Sequence, residues 1–149
     1  GMITVMSKQP LTQSRRTFTE PEILALLENP DMEAFMNSHV TSFFITALPA
    51  DVIEYTPGDA HYFSLEIARK SPGRWAVLHR GYCYDANLNE EYESIPSSRT
   101  EKFKRKFRHN LKDAVHIAFQ LAPNLKLMRW TVDDFTASVR DQMKQEPGT

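Results

Sequence analysis

Two apolar-alternating runs joined by Lys70-Ser71-Pro72-Gly73-Arg74 constrain the fold of this chain more than any other stretch. From His61 to Arg69, Phe63, Leu65 and Ile67 fall on one side and Ser64 and Glu66 on the other. That period of two is what a half-buried strand needs. Trp75 to Tyr84 supplies the return run, so segments 61–69 and 75–84 are expected to pair as an antiparallel hairpin. A lone hairpin is marginal in water and must lay one face on something else.

Amphipathic helices are available on both sides of it. Thr19 and Glu22 have capping-box spacing, with Phe18 and Ile23 placed as a hydrophobic staple, and Pro30 ends that helix by Asn29. Asp31 is expected to cap a second helix reaching about Leu48, whose stripe is Met32, Phe35, Met36, Val40, Phe43, Ala47 and Leu48. The signal from Asp51 to Tyr55 is mixed and reads best as a short strand. Ser98 and Glu101 open a long amphipathic helix over 98–122, with Phe103, Phe107, Leu111, Ala114, Ala118 and Leu121 as its buried stripe. Leu125 to Arg129 alternates weakly, and Thr131 with Asp134 caps a short C-terminal helix whose staple is Trp130 and Phe135.

The expected fold class is therefore α+β: two N-terminal helices, a small antiparallel sheet centred on the hairpin, the long helix and the short last one. Residues 1–16 show no sustained period and read as a flexible arm, with Ile3 to Met6 at most a short edge strand; Gly1 before Met2 reads as a tag remnant. Residues 17–146 make one domain, since a chain of 149 residues can bury about two-thirds of its unfolded surface around a single core. Nine Phe, five Tyr and two Trp within a hydrophobic fraction of 41% exclude general disorder. The single cysteine, Cys83, excludes an internal disulfide framework. The longest charge-free stretch, Ala34 to Ala50, is too short and too polar for a bilayer span, and with no signal peptide in view the expected location is cytoplasmic.

The net charge of −1 conceals a lopsided layout. Between Thr17 and Ala68 stand nine acidic residues, among them Glu20, Glu28, Asp51 and Asp59, and no Lys or Arg. Between Arg99 and Lys112 stand seven cations, Arg99, Lys102, Lys104, Arg105, Lys106, Arg108 and Lys112, against Glu101 alone. A cationic helix face can hold phosphates or an acidic protein, and it can equally be a solvated surface balanced by the acidic half. Without a Gly-rich clamp, RNP-like aromatics or zinc spacing, weak nucleic-acid binding through 99–112 ranks behind a protein partner, including a second copy of this chain.

The hairpin carries the remaining candidates. With Lys70 paired to Arg74, His61 falls opposite Cys83 and Asp59 flanks the same open end, giving the parts of a thiol–imidazole–carboxylate site. A one-residue slip would turn Cys83 to the other face, where it is an ordinary buried residue. Tyr62, Tyr82, Tyr84 and Arg80 share the opposite face, a composition suited to recognition or to plain cross-strand packing. Five His show no metal-ligand spacing, so no metal and no cofactor are expected. The leading expectation is a non-enzymatic protein-interaction or regulatory module that forms a homodimer, with Lys102, Lys106 and Lys112 among its binding residues. The alternative is a small-molecule-binding protein or enzyme at the hairpin's open end, using Cys83, His61 and Asp59.

Overall fold

A computed structural model describes residues 2–7, 15–93 and 99–146. Its sheet has seven strands, all antiparallel, in the order β2-β1-β3-β4-β5-β6-β7. They are β1 (Met2–Ser7), β2 (Arg15–Thr19), β3 (Ser42–Thr46), β4 (Ser64–Ser71), β5 (Arg74–His79), β6 (Tyr82–Tyr84) and β7 (Glu90–Tyr92). Among the described residues six α-helices accompany it: α1 (Glu20–Leu27), α2 (Pro30–His39), α3 (Ala50–Tyr55), α4 (Glu101–Phe107), α5 (Leu111–Leu121) and α6 (Val132–Gln145). A two-stranded ribbon, β8 (Lys126–Leu127) with β9 (Trp130–Thr131), leads into α6. Among the described residues, no helix is long and apolar enough to cross a membrane. The α+β class holds.

Alternation sets the two faces of the sheet. Ile3, Phe43, Ile45, Leu65, Ile67, Trp75 and Val77 are buried on one face, in one cluster with Leu111, Ala114, Val115 and Ala118 of α5. The opposite face carries Phe44 and Leu78 among small or polar side chains that include Thr4, Ser42, Thr46, Ser64, Ala68 and Ala76. Three of its hydroxyls are used: Thr4 donates to the Leu48 carbonyl at 3.2 Å, Thr46 to the Phe63 carbonyl at 2.7 Å and Ser64 to the Ala60 carbonyl at 2.5 Å. Donors buried beside a core need such partners.

The hairpin register matches expectation over most of its length, with Glu66 opposite Leu78, Ile67 opposite Val77 and Arg69 opposite Trp75. It departs at both ends. A bulge places Ser71 rather than Lys70 opposite Arg74, around a Pro72–Gly73 turn in which Gly73 takes φ +74°. At the other end β5 stops at His79. Arg80 and Gly81 both have positive φ, 50° and 91°, the mark of a two-residue turn of the primed type. The chain therefore reverses there, and residues 82–84 form a separate strand rather than the end of the second one.

Four further expectations are corrected. The segment read as an arm supplies β1, an interior strand between β2 and β3 with Ile3 and Thr4 buried; residues 8–14 lie outside the described residues. The second helix is capped by Asn29, not Asp31, and ends at His39; Ser42–Thr46 becomes β3. Phe43 and Ile45 suit either period, and pairing on both flanks decides for strand. Asp51–Tyr55, expected as a strand, lies in α3. The long helix 98–122 is two helices. Its break at Arg108–Asn110 lets His109 exchange both backbone hydrogen bonds with Trp75, at 2.8 and 2.7 Å, where β6 is too short to pair with β5. Asn110 then caps α5 through the Asp113 N–H. Thr100 caps α4; Ser98 lies outside the described residues.

Candidate functional site

Cys83 and His61 do not face one another. Cys83 stands on β6 between Leu78 and Glu91, fully buried, with its Sγ donating to the Glu91 carbonyl at 3.4 Å. His61 belongs to a 3-10 segment, Pro57–Phe63, and its ring lies 3.9 Å from that of Tyr62. Asp59 accepts from the Thr56 hydroxyl at 2.7 Å instead of orienting an imidazole. Burial, with the charge of Glu93 adding to it, pushes the Cys83 thiol up to about 11. A reactive cysteine needs the opposite, an electropositive and accessible setting that favours thiolate. The expected thiol–imidazole pair is thus corrected, because the chain turns at Arg80-Gly81 and carries Cys83 one strand away.

The basic run between Arg99 and Lys112 is mostly engaged within the chain. Arg108, nearly buried on its side chain, places its guanidinium 2.9 Å from Glu93, which Arg99 also reaches at 3.1 Å. Lys104 pairs with Glu101 at 3.3 Å, Lys106 with Asp85 at 3.7 Å and Lys112 with Glu28 at 3.2 Å. Burial works to raise the Asp85 carboxyl, but hydrogen bonds from Asn89 and Asn87 and the Lys106 charge outweigh it and hold it low. Lys102 and Arg105 have no ion-pair partner among the described residues. Of the three binding lysines singled out from sequence, only Lys102 is therefore uncommitted.

Tyrosines separate into two groups. Tyr84 is buried, donates to Glu90 at 3.2 Å and is pushed up to about 12 by that burial, so it belongs to the core. Tyr82 is 45% exposed and meets the 65% exposed Tyr92 edge to face at 6.3 Å. Tyr82 lies opposite His79, and the His79 ring nitrogen Nε2 is 2.9 Å from the Tyr62 carbonyl. Arg80 sits over the Tyr62 ring at 5.4 Å, a cation–π arrangement. The turn that displaces Cys83 is what brings Arg80 to this ring.

Tyr62 also opens onto a cleft of about 320 Å³ shared with Thr56, Asp59, Trp130, Phe135 and Gln142. Beyond Trp130 lies a wider groove of about 610 Å³ along α6. Trp130 is 46% exposed and Met128, at the tip of the β8–β9 turn, is 90% exposed. An arc of accessible rings thus runs from Tyr92 and Tyr82 through Tyr62 and Arg80 to Trp130. Sequence reasoning found Tyr62, Arg80 and Tyr82 but missed Tyr92, Trp130 and Met128. Trp130 had a sufficient local role as a staple, and Tyr92 stood in a segment read as loop. Among the described residues no group of three or more His, Cys, Asp or Glu side chains is arranged to hold a metal ion. The chain matches no protein-family model, no curated protein and no solved structure.

Proposed function

We propose that this chain is a non-enzymatic protein-interaction module whose recognition surface is the arc Tyr92–Tyr82–Tyr62–Arg80–Trp130. One observation carries this: the exposed Trp130 and the half-buried Tyr62 line an open cleft, Arg80 is stacked on Tyr62, and the exposed Tyr82–Tyr92 pair lies at the neighbouring sheet edge. Tyr, Trp and Arg are the residue types that dominate binding energy at protein interfaces, because they bury large area at small cost in side-chain entropy. The candidate nucleophile, by contrast, is sealed inside the sheet. A small-molecule ligand in the 320 Å³ cleft is the second reading, favoured by the convergence of Asp59, Thr56 and Tyr62 on an aromatic wall.

A photo-crosslinking amino acid placed at Tyr82 or Tyr92 tests the first reading. A discrete protein adduct is expected from those positions and not from Phe35, an exposed ring on α2. Equal labelling from all three positions, or none from any, overturns it. For the second reading, a small-molecule library should raise the melting temperature of the wild type and leave Trp130→Ala unmoved.

A further inference from the structure

The β8–β9 turn presents an unusual residue. Leu127 pairs with Trp130, leaving Met128 and Arg129 as the two turn residues, and Met128 has φ +55°. Glycine takes that conformation freely, whereas a long side chain strains it. The same methionine is the most exposed large hydrophobic residue among the described residues, at 90%. Strained backbone positions cluster at functional sites such as ligand clamps and switch regions.

The groove beside this tip holds two carboxylates along with the tip's own Arg129. Asp134, Ala137, Asp141 and Gln145 of α6 line it together with Arg129 and Trp130. Arg129 and Asp141 share the groove without forming an ion pair, and neither has another ion-pair partner among the described residues. One patch therefore holds a cationic, apolar tip (Lys126, Met128, Arg129) next to an acidic wall, with Trp130 between them. A two-fold axis through such a patch lays tip on wall twice over, the self-complementarity that an isologous interface requires.

We infer that a second copy of this chain docks here, each Met128–Arg129 tip seated in the other's α6 groove with Arg129 against Asp141 of the partner subunit. This rests on the interaction-module reading and names its partner. Sedimentation equilibrium of the full chain tests it. Wild type should dimerise with concentration, and Arg129→Asp or Asp141→Arg should each weaken the dimer by about tenfold or more at low salt, where charge pairs count most. The double variant R129D/D141R should recover most of the loss. Met128→Gly should weaken the dimer while raising the melting temperature, which separates docking from folding.

A wild type that stays monomeric at every concentration overturns the inference. So does a dimer indifferent to all four variants, or a folded double variant that does not recover. A monomer that still gives a position-specific adduct to a different protein from Tyr82 leaves the interaction-module reading standing and sinks only the second copy.

Discussion

His79 joins the sheet to the aromatic arc, and its environment shifts its titration. Burial holds its imidazole below the ordinary value, and the Arg80 charge adds to that, against the Tyr62 carbonyl and Glu90, which act to raise it. A histidine depressed in the folded state binds protons more readily when unfolded. Its neutral form therefore supports the fold above the ordinary pKa, roughly 6.5, and that support is lost as pH falls below it. The melting temperature should drop as pH falls below about 6.5, and His79→Gln, which keeps a donor to Tyr62, should flatten that part of the profile. A profile unchanged by the substitution would show that other groups govern acid stability. Cys83 makes the complementary point at this scale. Its residue type suggested chemistry, and its burial in the sheet removes it.

Helix α2 illustrates how an element can hold its place with little core. None of its residues is buried, and Met32 and Phe35 are 40% and 54% exposed. Polar links add to the partial packing of Met36 and Val40 on the core: the Trp75 indole donates to Asn37 at 2.7 Å, and Arg69 donates through Nε to the Val40 carbonyl at 2.9 Å, just past the helix end. Hydrogen exchange should show α2 opening well before β4 and β5, with Asn37→Ala speeding α2 selectively by several-fold, since local openings follow local contact density. Uniform acceleration across the sheet would instead mean that Asn37 supports the global fold. The α4–α5 break is decided the same way. His109 leaves the helix because its backbone completes the ladder of Trp75. A helical period running through 98–122 carries no trace of that partner.

Across the whole molecule, the uneven charge layout resolves into internal pairing. Lys112 reaches Glu28 and Arg140 pairs with Asp51, so two later cations meet the acidic N-terminal half of the same chain, where His116 also contacts Glu20. Exposed pairs of this kind contribute little singly. Lys102→Glu alone should leave stability unchanged, while Lys102, Lys106 and Lys112 changed together to Glu should cost about 1 kcal/mol in urea unfolding. A stable triple variant would mean that Asp85 and Glu28 gain nothing from these partners. Local features were legible in the amino-acid sequence: the capping boxes at Thr19/Glu22 and Thr131/Asp134, the Pro72–Gly73 turn, and the register from Glu66 to Arg69. Each is settled by residues within a few positions of one another, where side-chain capping, φ preference and alternation act directly. Tertiary structure alone decided that 42–46 is a strand, that 2–7 lies inside the sheet, that His109 breaks a helix, and that Trp130 comes to line a cleft with Tyr62. Those outcomes depend on backbone hydrogen bonds and contacts between segments distant in the chain, which residue order does not encode locally.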